Sequence, residues 1–502
     1  MSRKRRPFRS RLAGTAAALI LGALLPAVAP SAAHAGPGEL SATVSADCTS
    51  GRLQLTLSNK SGADQTFTVN GPDGSASYTR TVPTGGSSLL YWTRADGAPY
   101  TLTATTPGGF SKTESGSVGC GLGAGKPQMN KTTLFTTTTV FHGLNRKNAD
   151  GTHSETDATV KSVRIPAMAV TNSGTIIAMT DARVNGTADL PADIQIGMRR
   201  STDNGATWSQ ADIIHHEPTT AEGAGDVSLL VDRKTGHVYC FYTYAPPGIS
   251  FWSAGSGLNT ANDTKSLHAR YIKSTDDGAT WGAPVDLNPQ VKNPAWQQLF
   301  TSSGHGIQAS DGRLVQPIAY RDASGVSHAA NIYSTDGGAT WKAGGSAGAN
   351  INESKAVERS NGTIVQNMRH DTEYRRYYAT STDGGATFGT ASATSITDAR
   401  CNADELSYLK PADRGATGAP LRTATTLYSG NPGTTRDNLT VWLSDNDSTT
   451  WQPVGGAVLA AGAAGYSTMA VLGDGSVGNL YEVGGTGGIY FSRFTTDWIR
   501  NA

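Results

Sequence analysis

Cysteine is scarce in this chain: four residues in 502, Cys48, Cys120, Cys240 and Cys401. None stands at a cysteine–histidine spacing suited to zinc, and the neighbours His215 and His216 would face opposite sides of a strand. No metal site is expected. An excess of charge of one sign is missing too, with 41 Lys plus Arg against 40 Asp plus Glu. That balance argues against nucleic acid or an anionic membrane surface as a partner. Beyond the first 25 residues no run is long and apolar enough to cross a bilayer.

Glycine, by contrast, is abundant. Its 60 copies are scattered among Ser and Thr, and aromatic residues recur throughout, which suits an all-β protein with many turns rather than disorder. The N-terminus reads as an export signal: Arg3, Lys4, Arg5, Arg6, Arg9 and Arg11 precede an apolar run from Leu12 to Leu25, and Ala33-His34-Ala35 fits a cleavage site. Removing residues 1–35 takes away six positive charges and leaves a net charge of −5. The expected location is therefore extracellular. In that compartment Cys48 and Cys120 would staple the ends of one small module, while Cys240 and Cys401 would be either a bridge or two buried thiols.

One eight-residue phrase decides the architecture. It reads Ser-Thr-Asp-Asn-Gly-Ala-Thr-Trp at 201–208, and recurs with small changes at 274–281, 334–341 and 381–388, where Phe388 replaces the tryptophan. A decayed fifth copy at 444–451 puts Asn446 and Ser448 where Asp and Gly stood. The starts are 73, 60, 47 and 63 residues apart, so a short unit is kept while its connections vary, as in repeat folds. A β-prone run leads into each serine. The aspartate can accept N–H bonds in its own turn, and the glycine supplies positive φ.

Residues 36–120 alternate in short strands, such as Leu53, Leu55, Leu57 and Tyr100, Leu102, Ala104, and predict a small immunoglobulin-like β-sandwich. Residues 121–130 read as a linker and 131–502 as a six-bladed β-propeller with one blade lacking the phrase. Active sites of such folds sit on one rim, so their residues should be far apart in sequence.

The repeat phrase resembles the Asp box of sialidases and related propellers. Val163-Arg164-Ile165-Pro166 is similar to the (Phe/Tyr)-Arg-Ile-Pro signature of the same family, with Val163 in the aromatic place. The chain is thus identified as resembling the bacterial exo-α-sialidases of secreted, actinobacterial type. The resemblance covers nearly all of 155–495 and implies roles residue by residue. Asp189, six residues after Arg183, takes the place of the acid catalyst, with Asp181 and Asp193 as nearby alternatives. Glu353 and Arg369, sixteen residues apart, match the family's glutamate and second triad arginine, with Arg375 as the alternative. Arg436 takes the third arginine position, Tyr466 the nucleophile's, and Glu482 that of the glutamate bracing Arg164. Asp226 would meet an N-acetyl nitrogen and Arg183 a ring hydroxyl. Phe241, Tyr242, Phe251 and Trp252 lie in a region able to line an acyl or glycerol pocket, although most of them are expected in the core.

The chemistry asks for such a set. A sialic acid carries a carboxylate on its anomeric carbon, and three guanidiniums can fix it by charge-assisted, partly bidentate hydrogen bonds. An attacking carboxylate would repel that group, whereas a neutral tyrosine hydroxyl would not, and Glu353 can take its proton. Asp189 must hold a proton when the glycosidic oxygen leaves, which calls for a raised pKa. The expectation is a retaining exo-α-sialidase that acts on sialylated glycans as a monomer without a cofactor. Alternatives are a trans-sialidase, a hydrolase for a deaminated sialic acid, and a non-catalytic sialic-acid-binding propeller. A propeller glycosidase for neutral polysaccharides would need paired carboxylates and no arginine triad.

Overall fold

The computed structural model describes residues 39–47, 52–72, 77–93, 99–117, 129–256, 259–261, 263–409, 422–484 and 488–502. The signal segment 1–35, the Cys48–Cys120 pair and most of the linker lie outside the described residues. Contacts divide the chain into two compact units: Met1–Val44 with Leu55–Leu90 and Tyr100–Ser115, and Ser45–Gln54 with Tyr91–Pro99 and Gly116–Ala502.

The early strands form two sheets. Leu40–Asp47, Arg52–Asn59 and Ser87–Thr93 make one, and Ser77–Val82, Gln65–Asn70, Pro99–Thr105 and Ser111–Ser117 the other. Alternation sorts their residues: Leu53, Leu55, Leu57, Phe67, Val69, Leu102 and Ala104 are buried, whereas Thr66, Thr81, Thr101 and Ser115 bond across strands on an exposed face.

The larger unit is mostly β and propeller-like. Antiparallel runs of strands follow one another along the chain and open in turn on Ser162–Val170, Gly223–Val231, Gln298–Thr301, Ile351–Glu358, Asp404–Ser407 and the 20-residue strand Gln452–Val471, which also ends the run before it. That last strand pairs on one side with Asp437–Ser444 and on the other with Val477–Val483. Gly488–Phe494 in turn pairs with Met129–Phe135, so the unit's first strand completes its last sheet.

The repeat phrase forms the same turn each time. Ser201 Oγ donates to Asp203 Oδ1 at 2.8 Å and accepts from Gly205 N–H at 2.9 Å, and the Thr207 N–H and hydroxyl both donate to the Asp203 carboxylate. At 274–281 the equivalent threonine hydroxyl and N–H hold Asp276 down at about 2. The decayed copy keeps the pattern, because Asn446 Oδ1 accepts from Ser444 Oγ and Thr450 N–H. The glycine is needed twice over. At Gly338 φ is 83° and a Cβ would lie 2.3 Å from the Tyr239 hydroxyl of the preceding sheet. The closing aromatic then packs on that sheet too, with Trp341 edge-on to Phe241 at 5.1 Å.

Cys240 and Cys401 are free, buried thiols in separate apolar clusters. Among the described residues no helix is long and apolar enough to cross a membrane.

Candidate active site

Four of the sheet-opening strands carry a register irregularity beside the same cavity: between Arg164 and Ala167, Gly225 and Ser228, Ile351 and Ser354, and Ala464 and Ser467. A bulge re-aims the side chains next to it. Here the result is a cavity of about 430 Å³ whose wall includes Arg164, Asp226, Glu353 and Tyr466, one from each bulged strand. Ile165, inside the first bulge, has φ of 59°, a strained conformation for a β-branched residue.

Glu482 holds this strained turn together. Its Oε1 accepts from Arg164 Nε at 3.1 Å and from Ile165 N–H at 2.9 Å, and its Oε2 accepts from Arg164 Nη2 at 3.3 Å and from Tyr466 N–H at 3.2 Å. One buried carboxylate thereby ties two bulges to each other. Gly465 makes room for it, because a Cβ there would stand 2.4 Å from Glu482 Oε2.

Tyr466 sits at the centre of a charged cluster. Its hydroxyl donates to Glu353 Oε2 at 2.7 Å and accepts from Arg369 Nη1 at 3.0 Å, and Arg369 Nη1 also bonds Glu353 Oε2. The guanidiniums of Arg164 and Arg436 stand 5.1 and 5.3 Å from its ring centre. Burial, and then the Glu353 carboxylate, push the phenol well above its ordinary value against the pull of the arginines. Burial also pushes Glu353 up, but Arg369, the Tyr466 hydroxyl and Arg436 outweigh it and leave the carboxyl below its ordinary value. The pair is thus a neutral phenol hydrogen-bonded to an ionised carboxylate.

Across the cavity Arg183 Nη2 bonds Asp189 Oδ1 at 2.7 Å, and Arg164 Nη1 lies 3.6 Å from the same oxygen. Arg183 Nη1 also donates to Thr187 O at 2.7 Å, so this arginine braces the loop that carries Asp189. The Asp189 side chain is 78% exposed at the mouth, whereas Asp181 is 1% exposed beneath it. Asp181 accepts from Asp226 N–H at 3.1 Å, and burial pushes it up to about 7 against Arg183 and Arg164. Asp193 is taken up by Asn185 and Gln195 and does not line the cavity.

All nine residues singled out from sequence meet here: eight line the cavity and Glu482 braces it from behind. Arg375 stays exposed on its strand, and Arg376 is fully buried against Asn367 and the Cys401 carbonyl. Of the four aromatics, Phe251 and Trp252 line the cavity while Phe241 and Tyr242 belong to the core. Sequence reading passed over Leu190, Ile194, Leu267 and Phe300, which complete an apolar wall. Their only signal is apolarity, which they share with every core residue.

Comparison with known proteins bears on this arrangement. Residues 152–479 match the BNR repeat-like domain family, and residues 32–117 match the family of the bacterial phospholipase C, C-terminal domain. A sialidase of Micromonospora viridifaciens is 36% identical over 346 residues, covering 67% of this chain and 52% of that protein. One from Bacteroides fragilis is 33% identical over 356 residues, covering 68% and 63%. The chain therefore spans between half and two thirds of the length of these relatives. Among solved structures, the Hadza microbial sialidase Hz136 aligns with a TM-score of 0.61 at 22% identity, covering 92% of this chain and 98% of its own. The Trypanosoma rangeli sialidase aligns at 0.60 and 22%, covering 74% and 60%; both show likeness of fold. With the repeat model matching well over half of its length, the chain belongs to the BNR repeat-like family, and its repeat region is similar to that of bacterial sialidases.

Proposed function

We propose that this protein is a retaining exo-α-sialidase that hydrolyses terminal sialic acids through a glycosyl intermediate on Tyr466. The observation that carries the reading is the short Glu353–Tyr466–Arg369 cluster with Arg164 and Arg436 against the same ring. Three guanidiniums around one cavity suit a sugar carboxylate. When that carboxylate is seated, its anomeric carbon is brought to the Tyr466 hydroxyl. Glu353 accepts the phenolic proton as the oxygen attacks, and Asp189 at the mouth protonates the departing glycosidic oxygen. Water then attacks the tyrosyl-linked sugar with Asp189 as base, which returns Tyr466 and Glu353 to their starting states and retains the anomeric configuration.

Asp226, beside the apolar wall, is suited to an amide nitrogen of the substrate, and Arg183 to a hydroxyl once the sugar is bound. The larger unit is read as a six-bladed β-propeller, a count supported by its six sheet-opening strands. The smaller unit is read as an immunoglobulin-like sandwich, and the whole as an exported, monomeric enzyme acting on sialylated glycans. Incubation with a mixture of sialyl-lactoses should release free sialic acid. Transfer to added lactose in place of release would move the assignment to a trans-sialidase, and tight binding with no product would reduce it to a binding module.

None of the site residues precedes Arg164. A chain beginning at Lys126 should therefore keep wild-type turnover on a small soluble sialoside. A well-folded but inactive product would place part of the site in the N-terminal module.

A further inference from the structure

Two residues beyond Glu353 on the same strand stands Lys355, the register partner of Asn367, which lies two residues before the Arg369 that bonds Glu353. Lys355 is fully buried and does not line the cavity. Its Nζ donates to Asn402 Oδ1 at 2.6 Å, while Asn402 Nδ2 donates to Ser303 Oγ at 2.7 Å and Asn402 O accepts from Ser467 N–H, next to Tyr466. The lysine stem fills the space a side chain at Gly304 would need, since a Cβ there would lie 2.7 Å from Lys355 Cε. Thr468 Oγ1, which has no hydrogen-bond partner, borders the same spot. An ammonium is thus caged beneath the floor of the site, where a lysine would ordinarily be costly.

Its surroundings account for the charge. From a strand nearby comes Asp404, a buried carboxylate that takes His305 Nε2 at 2.9 Å and Met469 N–H at 2.5 Å. Burial drives Lys355 down to about 8, and Asp404 and then Glu353 restrain the fall, while Arg376 adds to it and the Cys401 thiol opposes it. Below that value the ammonium is charged. Glu353 itself faces Arg369, Tyr466 and Arg436, with Asp226 across the cavity.

We propose that Lys355 is a positioning residue for proton transfer, whose buried charge keeps Glu353 ionised while a substrate carboxylate occupies the three arginines. The inference rests on the sialidase reading of the cavity. A bound carboxylate draws on Arg369, the cation Glu353 otherwise uses, and adds a negative charge next to it. Both changes favour protonation of Glu353 and loss of the base. Lys355 is out of the substrate's reach, so its support persists in the complex.

Lys355→Gln tests this, because glutamine keeps a donor for Asn402 Oδ1 and removes only the charge. An infrared titration of the carboxylate band that is lost in Glu353→Gln reads Glu353 directly, without substrate. In Lys355→Gln its midpoint should rise by about one pH unit. The acid limb of kcat, which reports the complex, should rise further than that of kcat/KM, which reports the free enzyme. If Lys355→Gln does not fold, Lys355→Met carries the same titration. A Glu353 midpoint equal to that of the wild type in the folded variant overturns the proposal, even if activity has dropped. A wild-type protein that releases no sialic acid would instead sink the sialidase reading, with the infrared midpoint still deciding whether Lys355 governs Glu353.

Discussion

Tyr466→Phe should be severely impaired on sialyl-lactose and on an activated aryl sialoside alike, whereas Asp189→Ala should lose roughly 10²–10⁴-fold on the first and far less on the second. The reason is the leaving group. A sugar alkoxide needs a proton badly as it departs, while a phenolate of low pKa hardly does, so loss of the acid matters in proportion. Loss of the attacking oxygen cannot be offset by any leaving group. Placement agrees with this division. Asp189 stands exposed at the mouth, where a second sugar would leave, and the Tyr466 hydroxyl is held against Glu353 in the interior. Comparing kcat/KM for both variants on both substrates decides it. Equal losses for Asp189→Ala would deny it the acid's part and turn attention to Asp181, which burial already pushes up to about 7.

Arg436→Ala should weaken substrate binding strongly while the protein stays folded. Removing one partner of a charge-paired carboxylate costs on the order of 2–5 kcal/mol. Arg436 is the most solvent-open of the three arginines and donates to the Arg400 carbonyl at 2.9 Å, so the lower end applies, about thirtyfold in KM. Arg164→Ala would be a poorer test, because Glu482 would then be left with a buried, half-partnered charge beside the strained turn at Ile165. Unchanged affinity in a folded Arg436→Ala protein would remove this residue from the site.

Much of this site was readable because its parts are local. A turn phrase carries its own hydrogen bonds, so four near-identical copies announce a repeat of sheets without any knowledge of packing. The sixteen residues between Glu353 and Arg369 measure one strand, its turn and the return strand, and the two side chains do meet. The four bulges were not readable. A bulge is a mismatch between two strands, and neither strand's sequence records the other's register. Nor could composition separate Phe251 and Trp252, in a loop facing the cavity, from Phe241 and Tyr242, on a strand inside the core. Lys355 was the most deceptive residue. A lysine two places after a glutamate on a strand looks like a solvated pair, and only the cage of Gly304, Asn402 and Asp404 makes it a buried one.

The pairing of Met129–Phe135 with Gly488–Phe494 has a consequence for how the molecule is made. Phe135 and Ile489 are partners across about 350 residues of chain, while most other strand pairs join neighbours in sequence. On a ribosome the intermediate sheets can form in order as they emerge, but the first strand has to wait, unpaired, for nearly the last. During that interval it presents an open edge, the feature that invites pairing with the wrong chain. Synthesis time, rather than the stability of any one sheet, therefore sets how long the nascent protein is exposed to misassembly, and a stop codon a few residues before Gly488 would leave Met129–Phe135 without its partner strand.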